Sequence, residues 1–283
     1  MTRTRRALGA LLLILLLAWF LTPLLPLVLW AGAESWSGTS RLPQRWGTGN
    51  VTSVFASEGG GAVLRSLALG TAVAALATPA GAVAARALAL REVRWPRLAA
   101  GLLFAPVALP VFTMVMGLNV VLLRLHVPGF LGIVLVLVVA ALPYTTFLMR
   151  AAYAAYDVAF EDEAKTLGAS PGAVRWRVRL PLLAPALVGS GFLAFLVGWS
   201  DYIVTLLLGG GRYVTLPILV ASAASGTGNE PTVAALSLVA LAAPALLLIA
   251  AGLLHRRLTP RRRSTAERPG PALSSPPLVE GAA

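Results

Sequence analysis

Six long apolar runs dominate this chain, and they leave it one environment in which to fold. They fall roughly at 7–31, 62–85, 98–123, 130–149, 182–208 and 232–254. Each holds about 20 residues or more, enough for a helix to cross about 30 Å of hydrocarbon. Backbone N–H and C=O groups in lipid have no water to bond, so runs of this length predict helices. A β-barrel needs short alternating segments, which this sequence lacks. Composition agrees: 58% of residues are hydrophobic, 12% are charged and the mean hydropathy is +0.81. A soluble domain carries about twice that charged fraction. The expectation is an all-α integral membrane protein with about six transmembrane helices.

The first run opens on Arg3, Arg5 and Arg6 and closes on Ala31-Gly32-Ala33, the outline of a signal peptide. Its apolar stretch is too long for one and more spans follow, so a retained helix is expected. Lys and Arg then set the orientation. With Met1 inside, 18 of the 23 fall on inner segments and five outside (Arg41, Arg45, Arg65, Arg124 and Arg212). Both termini are therefore expected in the cytoplasm of a multi-pass protein of the cell membrane. Topology also accounts for the net charge of +12, so no nucleic-acid partner is expected.

The chain divides into a basic start and first helix at 1–31, an external loop at 32–61, a core at 62–255 and a basic tail at 256–283. The external loop reads as a solvated connector, with Trp36 and Trp46 at the membrane surface. The tail, rich in Pro, Ser and Gly after Arg261-Arg262-Arg263, reads as disordered beside anionic lipid heads. There is no cysteine, and His126 and His255 are far apart in the chain. No metal site and no catalytic constellation is expected. A Gly-x-x-x-x-Gly-Lys-Ser/Thr motif is also absent, so no nucleotide site of that kind is expected.

The most informative stretch is the inner loop at 153–181. Asp157 reads as an N-cap, and Glu161, Asp162 and Glu163 put negative charge in the first turns of a short helix. Ala164 and Leu167 share a face at i, i+3, and Gly168 suits the helix end. Ser170-Pro171 then caps and starts a second short helix. Apolar Val174, Val178 and Leu180 are interleaved there with Arg175, Arg177 and Arg179, and Pro181 leads into the fifth span. On physics alone this is a helix–turn–helix along the membrane surface, with or without a partner.

The segment resembles the EAA loop of permease subunits of binding-protein-dependent ABC transporters, of the MetI-like kind. That pattern is Glu-Ala-Ala, three residues, Gly, nine residues, Ile, any residue, Leu-Pro, and here Gly168, Leu180 and Pro181 fall at the matching spacing. Val178 takes the Ile place and Ala164 the second Ala, while Asp162 and Glu163 depart from Glu and Ala. Glu161 offers a carboxylate one residue early. Ala141-Leu142-Pro143-Tyr144, Gly198-Trp199-Ser200-Asp201-Tyr202, Gly209-Gly210-Gly211 and Thr215-Leu216-Pro217 are also similar to the family.

The resemblance implies a core of five helices plus an N-terminal helix. It implies a coupling loop in which Glu161, Asp162, Glu163, Ala164, Gly168, Leu180 and Pro181 meet an ABC ATPase subunit. A second permease subunit and an external solute-binding protein are the other implied partners, within a lipid bilayer. No cofactor belongs to this chain, because the partner hydrolyses ATP. The Ser-Asp-Tyr and Thr-Leu-Pro stretches look most like permeases of polyamine uptake, and thiamine and ferric-iron permeases share much of the pattern. A small cationic solute is thus implied. The competing class is an ATP-independent secondary transporter or channel. That class more often carries paired ionisable residues in several spans, whereas this chain shows mainly Asp201.

Asp201 lies about 20 residues into the fifth run, among Ser200, Tyr202 and Thr205. Either these residues line a pathway that favours cations, or the helix ends near Trp199 and Asp201 sits at the outer interface or a subunit contact. Asn119 in the third run has the same two readings, pathway or interhelical packing.

Overall fold

In a computed structural model of the protein the described residues are 3–36, 40–56, 58–90 and 92–258. The tail expected to be disordered lies, beyond Leu258, outside them. Among the described residues thirteen α-helices run in order: α1 Arg3–Leu21, α2 Leu24–Ala31, α3 Gly49–Ala56, α4 Gly59–Ala89, α5 Pro96–Ala108, α6 Val111–Arg124, α7 Gly129–Ala154, α8 Ala159–Thr166, α9 Pro171–Val174, α10 Leu180–Trp199, α11 Ile203–Gly209, α12 Leu216–Ala224 and α13 Glu230–Leu258. A π-helical turn, Arg175–Arg179, joins α9 to α10. A short antiparallel pair, β1 Ala33–Ser35 and β2 Arg45–Trp46, follows α2.

Among the described residues four helical stretches are long and apolar enough to cross a membrane, and the count reaches six if each of two bent pairs is one span. The bends fall where the chain cannot continue its ladder. α1 and α2 meet at 48° across Thr22-Pro23, and α5 and α6 meet at 106° across Leu109-Pro110. Proline lacks the N–H that the ladder requires, and it pushes its predecessor out of the helical region. Leu109 accordingly sits at ψ 139. The third run, expected as one helix over 98–123, is therefore two helices of 13 and 14 residues. Each is about 20 Å long, too short to cross alone.

The fifth run also departs from expectation. α10 stops at Trp199, and α11 starts at Ile203. Hydropathy is blind to this break because Ile203–Gly209 is as apolar as the helix before it.

The core is built by α4, α7 and α10, with Leu69, Val73, Ile133, Leu137 and Ala194 fully or almost fully buried. Small residues set the spacing. A Cβ added at Gly198 would lie 2.8 Å from the Cα of Gly70, so the α4 and α10 backbones touch with no side chain between them. A second cluster ties Ala31 of α2 and Val54 of α3 to Trp199, Leu216 and Ala235. Within the 32–61 segment α3 packs on α4 and α13, the hairpin packs on α3, and Trp36 packs on Trp30 at 4.2 Å. Trp46 stays more than half exposed. α1, by contrast, shows exposed side chains along its length from Ala7 to Leu21.

Candidate functional site

At one end of the bundle, α8 and α9 form the helix–turn–helix read from the sequence. The Ala159 N–H donates to Asp157 Oδ1 at 2.9 Å, so Asp157 caps from just outside the helix. The turn after α8 is a Schellman motif: the Gly168 N–H donates to the Lys165 carbonyl at 2.9 Å and the Ala169 N–H to the Ala164 carbonyl at 3.0 Å. This requires a left-handed residue, and Gly168 has φ +84. Ser170 then caps α9, accepting from the Ala173 N–H at 3.3 Å with Pro171 in the first turn.

The three acidic residues do not share a fate. Asp162 and Glu163 are exposed, Asp162 taking Lys165 at 2.8 Å. Leu167 is 88% exposed, and Phe160 and Trp176 are also largely bare. Ala164 is half-buried, Gly168 and Pro181 are exposed, and Leu180 is half-buried. Glu161 points the other way and is 3% exposed. Arg179 grips it with a fork, Nε to Oε1 at 2.8 Å and Nη2 to Oε2 at 2.6 Å. The Tyr156 hydroxyl donates to Oε1 at 3.1 Å, and Arg86 of α4 approaches at 3.5 Å. Glu161, the carboxylate that the sequence offers one residue early, thus has both oxygens engaged inside the chain. The Arg179 hydrogen bonds hold that carboxyl down at about 2, against the desolvation that would raise it. Burial, with the hydrogen bond to Glu161, pushes Tyr156 up to about 12.

The second region is a cavity of about 510 Å³ between the two helix breaks. Pro106, Leu109 and Val111 line it from the α5–α6 corner, Leu137 and Tyr144 from α7, and Ser200, Asp201 and Tyr202 from the α10–α11 gap. Asp201 caps α11: Oδ2 accepts from the Thr205 N–H and hydroxyl, each at 2.7 Å, and Oδ1 from the Val204 N–H at 3.2 Å. The second reading of this residue, a helix ending near Trp199, is the one the backbone adopts, and the same break brings Asp201 to the cavity wall. Thr205 is fully buried as the partner of Asp201 and does not line the cavity. Nor does Asn119, half-buried on α6. Ser200 turns its hydroxyl back to the Leu196 carbonyl at 2.7 Å. Among the described residues no cluster of His, Cys, Asp and Glu could hold a metal ion.

Sequence reasoning missed Arg86, Tyr156 and Arg179 as partners of Glu161, since nothing local marks them. It also missed the α5–α6 corner, which Leu109-Pro110 could have signalled.

Residues 77–264 match the family described as binding-protein-dependent transport system inner membrane component. The chain is 28% identical over 197 residues to the spermidine/putrescine transport system permease protein PotC of Haemophilus influenzae, covering 69% of this chain and 76% of that one. It is 34% identical over 122 residues to the molybdenum transport system permease protein ModB of Mycobacterium tuberculosis, covering 43% and 46%. Its fold is shared with a chain of a bacterial ABC transporter involved in the import of the acidic polysaccharide alginate, at TM-score 0.64 and 17% identity over 92% of this chain and 99% of that one. The chain belongs to the binding-protein-dependent transport system inner membrane components, the MetI-like permease subunits of ABC importers.

Proposed function

We propose that this permease pairs with a second permease subunit, the same or homologous, to form a solute path across the cell membrane. An external solute-binding protein delivers the solute, and a separate ATPase drives the cycle from the cytoplasm. ATP is bound and hydrolysed by that partner, and this chain has no cofactor of its own. The observation that carries the reading is the exposed face of α8. It presents Asp162 and Glu163 to solvent, with Leu167 exposed just beyond it before the tight turn at Gly168. Together with the largely bare Phe160 and Trp176, a Leu167 that is 88% exposed supports a loop covered by another protein. The bias of Lys and Arg supports a cytoplasmic side for this loop and for both termini.

For the solute, a small cation such as a polyamine has the best support. The carboxylate of Asp201 stands at the wall of a cavity otherwise lined largely by apolar side chains. The polyamine permease of Haemophilus influenzae is similar over most of both chains.

The test is reconstitution in proteoliposomes with the cognate ATPase and binding protein. Uptake should require both partners and ATP. Uptake that persists without the ATPase would instead favour an ATP-independent carrier. A thermal-shift screen of the binding protein against spermidine, thiamine, ferric iron and oxyanions should show stabilisation by spermidine. Stabilisation by an oxyanion alone refutes the cationic assignment.

A further inference from the structure

We infer that Glu161 is a positioning residue: through Arg179 it forms the strut that carries movement between α8 and the transmembrane helix α10. This rests on the proposal that α8 docks on an ATPase, and it reassigns a residue that the sequence pattern places among the docking groups.

Four observations converge. First, Glu161 is the one buried residue of α8, so the helix is not seated by apolar side chains. Its own hydrophobic residue, Phe160, is 49% exposed, and Leu167 just beyond it is barer still. Second, the grip on Glu161 is two-pronged, at 2.8 and 2.6 Å, and a fork of this kind fixes direction as well as distance. Third, Arg179 is the last residue of the π turn and is followed at once by α10. A π turn holds an extra residue, which rotates the downstream helix by about 100° relative to an uninterrupted α-helix. Arg175 and Arg177 remain exposed, whereas Arg179 is turned inward with its side chain 19% exposed. Fourth, the same carboxylate reaches α4 through Arg86, and Arg86 also pairs with Glu92 at 3.5 Å.

α8 is bounded by Asp157 on one side and by the left-handed turn at Gly168 on the other. A push on such a helix is absorbed at its corners unless something stiff joins it to the bundle. The buried ion pair is that join. Both partners lose much if either is removed, because a charge is then left buried and poorly matched.

The absence of cysteine from the chain makes a labelling test clean. In the reconstituted complex of permease, ATPase and binding protein, spin labels go on Ala159→Cys in α8 and Leu182→Cys in α10. The comparison is with and without Glu161→Gln. With the strut intact, the inter-label distance should stay narrow as ATP binds. With Glu161→Gln the distribution should broaden, and uptake per ATP hydrolysed should fall about tenfold or more. ATPase capture and hydrolysis should persist. A seat that is merely structural would lower the melting temperature without separating hydrolysis from uptake.

Loss of ATPase capture by Glu161→Gln would make Glu161 a docking residue and overturn the inference. So would full coupling with a narrow distance distribution. If Glu161→Gln does not assemble, Arg179→Lys decides, since it keeps the charge and loses the fork. Partial coupling then supports the strut, and full coupling refutes it. Failure of the unsubstituted complex to capture ATPase would instead remove the docking proposal beneath it.

Discussion

Gly168 offers the sharpest quantitative test of the coupling loop. Its φ of +84 lies in the left-handed region, and a Cβ added there would meet nothing within 4 Å. A substitution therefore acts through backbone strain alone, not through a clash. Placing an L residue in this region costs about 1–2 kcal/mol, more for a β-branched side chain, and least for Asn. The Schellman turn closes α8 with two hydrogen bonds, so the strain bears directly on whether the helix ends where it does. At about 1.4 kcal/mol per tenfold, Gly168→Ala should lower the equilibrium constant for the correctly ended α8 about fivefold to thirtyfold. Gly168→Val should do worse, and Gly168→Asn should stay close to the parent protein. The assay is uptake per ATP in proteoliposomes, with ATPase capture measured on the same preparations. The expected order of coupling is Gly, then Asn, then Ala, then Val. If Val matches Ala and both match the parent, the left-handed turn is not what α8 needs for docking. If Asn proves as damaging as Val, side-chain bulk against the partner governs, and backbone strain does not.

Three other parts of the molecule give further expected outcomes. Asp201→Asn keeps one oxygen to cap α11, loses the second acceptor and removes the charge at the cavity wall, so a cationic solute should need about tenfold more concentration for half-maximal uptake, with a lowered melting temperature and unchanged handling of neutral solutes. Equal loss for neutral and cationic solutes would leave Asp201 as a cap alone. Gly198→Leu forces a side chain into the contact with Gly70 and should destabilise the bundle by about 2–3 kcal/mol, read as a lower melting temperature in detergent. Glu161 titrates at about 2 when folded and at 4.5 in its ordinary state, a depressed value, so its contribution of about 3 kcal/mol is complete above about pH 4.5 and fades as pH falls towards 2. The protection of α8 amides, taken relative to the exchange of an unstructured chain at the same pH, should accordingly be flat from neutral pH to about 5 and fall below that, and a fall already at pH 6 would contradict the pairing.

The apolar runs were legible because lipid imposes a length and a composition on anything that crosses it. Their interruptions were less so. Ser200 to Tyr202 sits between two equally apolar stretches, and only the capping of α11 by Asp201 shows why the ladder stops there. Leu109-Pro110 carried a readable signal, yet the 106° corner depends on how α5 and α6 pack. In the loop, Gly168, Ser170 and Pro171 announced the turn because each acts on its own backbone. Glu161 did not announce its burial. Three adjacent carboxylates look alike in a sequence, and what separates them is an arginine 18 positions away, presented by a π turn that no local pattern marks.

The bare contact between Gly70 and Gly198 has a mechanical meaning. Sliding α10 along α4 by one residue, about 1.5 Å, would drive a neighbouring side chain into a gap that has room for none. The seam thus opposes translation of one rod along the other more than rotation of the pair together. Under the proposed coupling, a stroke from the loop would therefore leave the far end of the bundle as an angle, with a displacement that scales with the lever arm from the seam.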